Sequence, residues 1–199
     1  MFINNFDPIA FQILSFEVRW YSLAYIMGII LGWMLCKKIF IKKNSKISEK
    51  FDDYITHIII GIIVGGRLGY IIFYNLNYYM NNILDIFKVW EGGMSFHGGL
   101  IGVITASIIF ANKHKQDSFV YMDLVSLVAP IGIFFGRLAN FINSELYGVP
   151  TEIPWAVTFT QIDNLSRHPS QLYEAILEGI ILFLILLYYR KKNYLEKPG

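Results

Sequence analysis

Charge is scarce in this sequence, and disulfide chemistry is missing from it. Only 16% of the 199 residues are Asp, Glu, Lys or Arg, against roughly 25% in soluble domains. A single cysteine, Cys36, can close no internal bridge, which excludes a disulfide scaffold. With 17 basic against 15 acidic residues, the near balance gives no sign of a nucleic-acid partner. No Cys/His cluster points to a metal, no Ser-His-Asp pattern is evident, and no cofactor is implied. What is abundant is apolar surface, at 55% hydrophobic and 17% aromatic residues. That composition excludes a disordered chain and describes a protein of the bilayer.

Five apolar stretches approach the roughly 20 residues needed to cross a membrane. They run over 19–35, 54–74, 94–111, 119–142 and 169–189. Lipid cannot satisfy an open backbone, so helices are expected. The fold class expected is all-α, a polytopic membrane helix bundle forming one domain over 1–199. The first stretch has no basic segment before it and no small-x-small cleavage site after it, and so reads as a retained span. Most basic residues fall in one set of loops: Lys37, Lys38, Lys42, Lys43, Lys46 and Lys50, then Lys113 and Lys115, then Arg190, Lys191, Lys192 and Lys197. The positive-inside rule therefore puts the N-terminus outside and residue 199 in the cytoplasm. Among the outer loops, 78–93 spaces Ile83, Leu84, Ile86, Phe87 and Trp90 as a short interfacial helix would. The loop 144–168, with Pro150, Pro154 and alternating Trp155, Val157 and Phe159, is expected to form a small hairpin or loop.

A transmembrane chain hides its charges, so the exceptions carry information. Arg67 stands in Gly65-Gly66-Arg67-Leu68-Gly69-Tyr70, Arg137 in Gly136-Arg137-Leu138-Ala139-Asn140, and His97 in Ser95-Phe96-His97-Gly98-Gly99. Glu174 follows Arg167-His168-Pro169-Ser170-Gln171, and Tyr21 opens the first span. On the expected topology all of them lie in the outer half of the membrane. Each has a plainer reading: snorkelling for Arg137, close helix packing for the glycines, an aromatic belt for Tyr21. Glu178, one turn beyond Glu174, is expected to pair with a buried Arg, and Cys36 to be a packing residue. Taken together, two arginines suit an anionic group held bidentately. Ser95 and the following glycines suit a helix terminus that offers N–H groups to an anion. His97 suits proton transfer near neutral pH.

These blocks, with Arg19-Trp20-Tyr21-Ser22-Leu23, Leu100-Ile101-Gly102 and Phe141-Ile142-Asn143-Ser144-Glu145, fall in order along nearly the whole chain. Together they resemble the prolipoprotein diacylglyceryl transferase family. The resemblance implies an enzyme of the bacterial inner membrane. It would move the diacylglyceryl group of phosphatidylglycerol to the lipobox cysteine of a prolipoprotein signal peptide and release glycerol phosphate. It further implies that His97, Arg137 and Tyr21 are catalytic. Arg137, Asn140, Glu145, Arg67, His168, Glu174, Gly98 and Gly99 would bind substrate, with no metal. The family's usual Gly is replaced by Ala139. Its members typically continue past a motif like Lys197-Pro198-Gly199 into two more spans, so five of seven are expected here. The competing expectation is a non-enzymatic anion or lipid transporter, although no internal repeat of the kind transporters carry is visible.

Overall fold

The computed structural model describes residues 2–14, 16–41, 45–192 and 198–199. Lys42, Lys43 and Lys197 of the basic loops lie outside the described residues. In chain order the elements are β1 (Phe2–Asn4), β2 (Ile9–Ile13), β3 (Phe16–Arg19), α1 (Trp20–Leu35), α2 (Lys46–Tyr74), α3 (Leu76–Asn81), α4 (Phe96–His114), α5 (Ser118–Ile142), β4 (Val157–Phe159), β5 (Ser166–Arg167), α6 (Ser170–Glu174) and α7 (Leu182–Lys191). A π-helical turn, Cys36–Phe40, extends α1, and another, Ala175–Ile181, joins α6 to α7. Among the described residues, five helices are long and apolar enough to cross a membrane: Trp20–Ile39, Lys46–Tyr74, Phe96–His114, Ser118–Ile142 and Ser170–Lys191. The protein is a multi-pass helical membrane protein, as its composition indicated. Large apolar side chains such as Ile26, Ile60, Ile101 and Leu184 stand exposed on these helices, as they would facing lipid.

Two regions differ most from expectation. The second span begins at Lys46 rather than Tyr54, because Ser45 caps the helix by accepting from the Ser48 amide at 3.2 Å. The first turns of α2 are therefore a polar extension carrying Lys46, Glu49, Lys50, Asp52 and Asp53. The segment 78–93 is not one helix. It divides into α3 and two 3₁₀ turns, Ile83–Phe87 and Val89–Glu91, with Ile83, Leu84, Phe87 and Trp90 exposed.

The chain forms two compact units, Met1–Lys38 with Val125–Lys197, and Ile39–Leu124 with Pro198–Gly199. In the second unit α2 and α4 meet through small residues, Gly61, Gly65 and Gly69 facing Gly98 and Gly102. A Cβ added at Gly69 would come within 2.8 Å of the Gly98 Cα, so side chains there would push the helices apart. Away from this stripe Phe51, Tyr54, Phe110 and Tyr121 bury their rings together around Ser107.

In the first unit α1 and α5 approach at Gly28 and Gly132, where a Cβ on Gly28 would sit 3.0 Å from the Gly132 Cα. Gly179 lies against Phe134 in the same way, where an added Cβ would sit 2.7 Å from the Phe134 Cβ. The expected hairpin exists as β4 and β5, paired antiparallel, Val157 with Arg167 and Thr158 with Ser166. Its partner was not expected: β1, from the first residues of the chain, adds in parallel to β4. Asn4 anchors that strand. Wholly buried, it donates from Nδ2 to the Phe141 carbonyl at 2.6 Å and accepts from the Phe6 amide. A second small ribbon, β2 with β3, leads directly into α1.

Candidate active site

In the first unit the polar residues collect at the end of α5 and the start of the fifth span. Arg137, one turn before the end of α5, points both ends of its guanidinium at carboxylates. Nη1 lies 2.9 Å from Glu174 Oε2, and Nη2 donates to Glu178 Oε2 at 3.3 Å. Glu174 closes α6 and Glu178 lies in the π-helical turn that follows, so both reach the same arginine. The expected pairing of Glu178 with an arginine is thus present, and its partner is Arg137. The arginine side chain is 26% exposed, so the group is neither fully buried nor freely solvated.

Just past Arg137 the chain turns sharply. Asn140, buried, donates from Nδ2 to Glu145 Oε2 at 3.0 Å, and the Glu145 amide returns to the Asn140 carbonyl at 2.9 Å. Ser144 and Leu146, on either side of Glu145, adopt left-handed φ values of 57° and 52°. Such angles in non-glycine residues cost on the order of 1 kcal/mol each, and they persist where the surroundings fix them. Gln171 does the fixing. Fully buried at the start of the fifth span, it donates from Nε2 to the Glu145 carbonyl at 2.6 Å. Nothing in its sequence context marked Gln171 beyond membership of the Arg167–Glu174 block.

His168 sits at the mouth of the same span with a partner chain of its own. Trp155 Nε1 donates to the Tyr173 hydroxyl at 2.8 Å, and that hydroxyl lies 3.2 Å from His168 Nδ1. Having accepted from Trp155, Tyr173 has its own proton to give to Nδ1. A neutral His168 would then carry its ring proton on Nε2. Trp155 and Tyr173 were not singled out as functional by sequence, because their convergence depends on the hairpin. Tyr21, at the start of α1, packs its ring 5.2 Å from that of Tyr25.

Beside this cluster, in the hairpin, Arg167 holds Asp163 through Nη2 at 2.5 Å and Nε at 3.3 Å. Its Nη1 donates to the Gly148 carbonyl at 3.3 Å, and its guanidinium lies 4.8 Å over the Tyr147 ring. The Arg167 hydrogen bonds, helped by the Leu165 amide, hold the Asp163 carboxyl below the usual carboxylate range and push the guanidinium further up.

The second unit treats its arginine differently. Arg67, 4% exposed, donates from Nε to Ile86 O at 3.0 Å, from Nη2 to Asp85 O at 2.6 Å, and from Nη1 to Gly92 O at 2.5 Å and Gly93 O at 3.3 Å. Its face covers Tyr79 at 5.1 Å. Gly92 and Gly93, with φ of 87° and 78°, supply the left-handed turn that aims two carbonyls at one nitrogen. Drawing the Asp85 and Ile86 carbonyls to Arg67 also tightens the expected interfacial helix into 3₁₀ turns. Asp85 is held below its ordinary range by Lys88 at 2.6 Å and by the Tyr78 hydroxyl.

His97, in the first turn of α4, is exposed, with its ring edge-on to Phe96. The helix start itself is closed. Ser95 accepts from the Gly98 amide at 3.2 Å through Oγ and from the Gly99 amide at 2.9 Å through its carbonyl, and its own amide donates to Gly66 O at 2.9 Å. The anion-binding terminus expected there therefore has its glycine amides already spent, because Ser95 is a good N-cap. Gly98 instead serves the crossing with Gly65 and Gly69.

Comparison with known proteins bears on what these groups do. The family described as prolipoprotein diacylglyceryl transferase matches residues 8–199. A protein of Rickettsia bellii (strain OSU 85-389), named phosphatidylglycerol–prolipoprotein diacylglyceryl transferase, is 50% identical over all of this chain and 76% of its own length. Proteins of the same name are 48% identical in Rickettsia canadensis, over 99% of this chain and 77% of theirs, and in Rhodopseudomonas palustris, over 98% and 71%.

Proposed function

The chain belongs to the prolipoprotein diacylglyceryl transferase family, and from that premise we propose how its residues divide the reaction. It is a transferase that moves the diacylglyceryl group of phosphatidylglycerol to prolipoproteins, the first step of lipoprotein lipidation. The transporter alternative finds no support in that membership.

The acceptor in our reading is the lipobox cysteine of the signal peptide. Its sulfur attacks the diacylglyceryl carbon that bears the phosphate ester. An S–C bond forms, the C–O bond breaks with its electron pair on oxygen, and glycerol phosphate leaves. The thiol, with an ordinary pKa near 8.5, must lose its proton to attack. We assign that proton to His97, the side chain whose ordinary titration falls near neutral pH. Arg137 holds the phosphate, whose charge grows as the C–O bond opens.

One observation carries the second assignment. Both Nη groups of Arg137 rest on side-chain carboxylates, which a phosphate can replace in kind. Those of Arg67 are spent on backbone carbonyls, which cannot leave. Asn140 and Glu145 shape the wall beside Arg137, and His168 and Glu174 close it from the fifth span. Tyr21 lines the chamber as the resemblance implies. In the second unit, Arg67, Gly98 and Gly99 fix the 85–99 backbone that carries His97.

The test is diacylglyceryl transfer from phosphatidylglycerol to a lipobox peptide. Arg137→Ala should lose a hundredfold or more in rate, on the order of 3 kcal/mol of transition-state stabilisation. Arg137→Lys should recover little of it, since a point charge cannot grip bidentately. His97→Asn should retain phosphatidylglycerol binding and lose the acidic limb of the pH–rate profile. Near-full rate in Arg137→Lys, or an unchanged acidic limb in His97→Asn, sinks the respective role.

We place the protein in the bacterial inner membrane with its N-terminus outside and residue 199 in the cytoplasm, which the basic residues of the 37–50, 113–115 and 190–192 segments support. In a chain lacking Cys36, Lys113→Cys should react with an impermeant thiol reagent only from the cytoplasm and Glu152→Cys only from outside. The reverse pattern overturns the orientation.

A further inference from the structure

Arg137 meets its substrate with both hands full. If the guanidinium is to grip a phosphate through both Nη groups, at least one of its two carboxylates must leave. The two are not equivalent. Glu174 is the nearer at 2.9 Å, its side chain is 35% exposed, and its Oε2 is shielded from solvent. Glu178 is at 3.3 Å and 49% exposed. Glu178 also lies inside a π-helical turn, a winding that is rare and concentrated at functional sites. Its neighbour Gly179 packs directly on Phe134, which pins the backbone there to α5. The mobile part is therefore the Glu178 side chain.

We propose that Glu178 is a specificity-determining counter-ion. It yields Arg137 to a singly charged phosphodiester and returns to expel a phosphomonoester. The inference rests on the reading of Arg137 as the phosphate clamp. Its basis is charge. The lipid substrate is a phosphodiester with one negative charge, whereas glycerol phosphate is a monoester with about −1.5 to −2 at pH 7. A displaced Glu178 remains beside Arg137, where it only accepts hydrogen bonds. The hydroxyls of a glycerol headgroup can donate to it. A monoester sets a further negative charge against it, so glycerol phosphate is repelled even though it keeps those hydroxyls. One carboxylate thus disfavours phosphatidate as a substrate and shortens the stay of the product.

Steady-state transfer tests this in the full membrane-embedded chain, with phosphatidylglycerol, a lipobox peptide and added glycerol phosphate. Glu178→Gln keeps the shape and removes the competing charge. The expected result is a KM for phosphatidylglycerol lowered about two- to fivefold, the range of a partly exposed ion pair. Inhibition by glycerol phosphate should tighten by a larger factor. Glu178→Asp, which keeps the charge, should hold both quantities within about twofold of the parent. An unchanged or raised KM in Glu178→Gln, with unchanged inhibition, overturns the proposal, as does a Glu178→Asp chain that behaves like the Gln one. Glu178→Ala is read by the same criteria if the Gln chain does not accumulate. Arg137→Ala separates the two layers. If it still transfers, the phosphate-clamp reading falls. If it is inactive while Glu178→Gln changes nothing, only the counter-ion role falls.

Discussion

Arg67 and Arg137 are the same side chain placed in two units of one membrane protein, and their partners divide them. Arg67 is buried under four backbone carbonyls, fixed dipoles of the 85–93 segment. Arg137 is part-exposed and held by Glu174 and Glu178, whose side chains can rotate away. A buried arginine satisfied by carbonyls is a structural member, since removing it takes the charged donor away from the backbone it gathers. An arginine satisfied by carboxylates keeps a site ready for another anion. Charge inside a membrane protein therefore announces that something is being held, and the partner tells whether the thing held is backbone or ligand.

The comparison breaks most openly if the two arginines are exchanged as targets. Arg67→Ala should cost stability, about 2–4 kcal/mol for a buried, charge-assisted set of hydrogen bonds. The 83–93 segment should become open to protease in membranes, and Arg67→Lys should rescue little, because an ammonium cannot serve four carbonyls spread around a plane. Arg137→Ala should leave protease resistance and thermal midpoint nearly unchanged while transfer is lost. If Arg67→Ala proves as resistant to protease and heat as the parent and only transfer falls, Arg67 is a ligand-binding residue and the division drawn here is wrong.

The sequence showed that Arg67 and Arg137 were unusual because lipid makes any charge unusual, and it showed nothing of how they differ. The Asp85, Ile86, Gly92 and Gly93 carbonyls carry no signature of their own, and reach Arg67 from a 3₁₀ turn and from two glycines with positive φ. The five spans were legible from hydropathy alone, but the start of α2 was not, since six of the eight residues from Lys46 are polar and the helix there begins at the Ser45 cap. The hairpin 157–167 was legible from alternation. Its third strand was not, because β1 pairs with β4 across some 155 positions of chain, beyond any local pattern. Gln171, Trp155 and Tyr173 were hidden for a related reason. Each acts through a partner brought near by the turn at Ser144 or by the hairpin. Glu178 was visible as a charge one turn from Glu174, though the π-helical winding that gives both access to Arg137 was not.

A third arginine sharpens the comparison, because Arg167 stands between the two extremes, with one carboxylate, Asp163, and one carbonyl, Gly148. If partner type decides role, acid should remove the exchangeable half of its contacts and spare the other. The Arg167 hydrogen bonds lower the folded-state titration of Asp163. The unfolded chain takes up its proton first as pH falls, near the ordinary value of about 3.9. The contribution of the pair is therefore complete above that value and fades below it, ending once the folded Asp163 is itself protonated. Amide exchange at Gly148 and His168, whose N–H groups bond to His168 O and Val149 O across the hairpin, reads the effect locally. Asp163→Asn should show slightly faster exchange than the parent at neutral pH, and the two should converge below pH 4. Comparing them at each pH cancels the intrinsic pH dependence of exchange. The difference should be the smallest of those considered, because a single, partly exposed ion pair contributes little. A gap that persists unchanged to low pH would mean that Asp163 acts through shape rather than charge. Arg167 would then belong with Arg67, among the arginines that hold backbone.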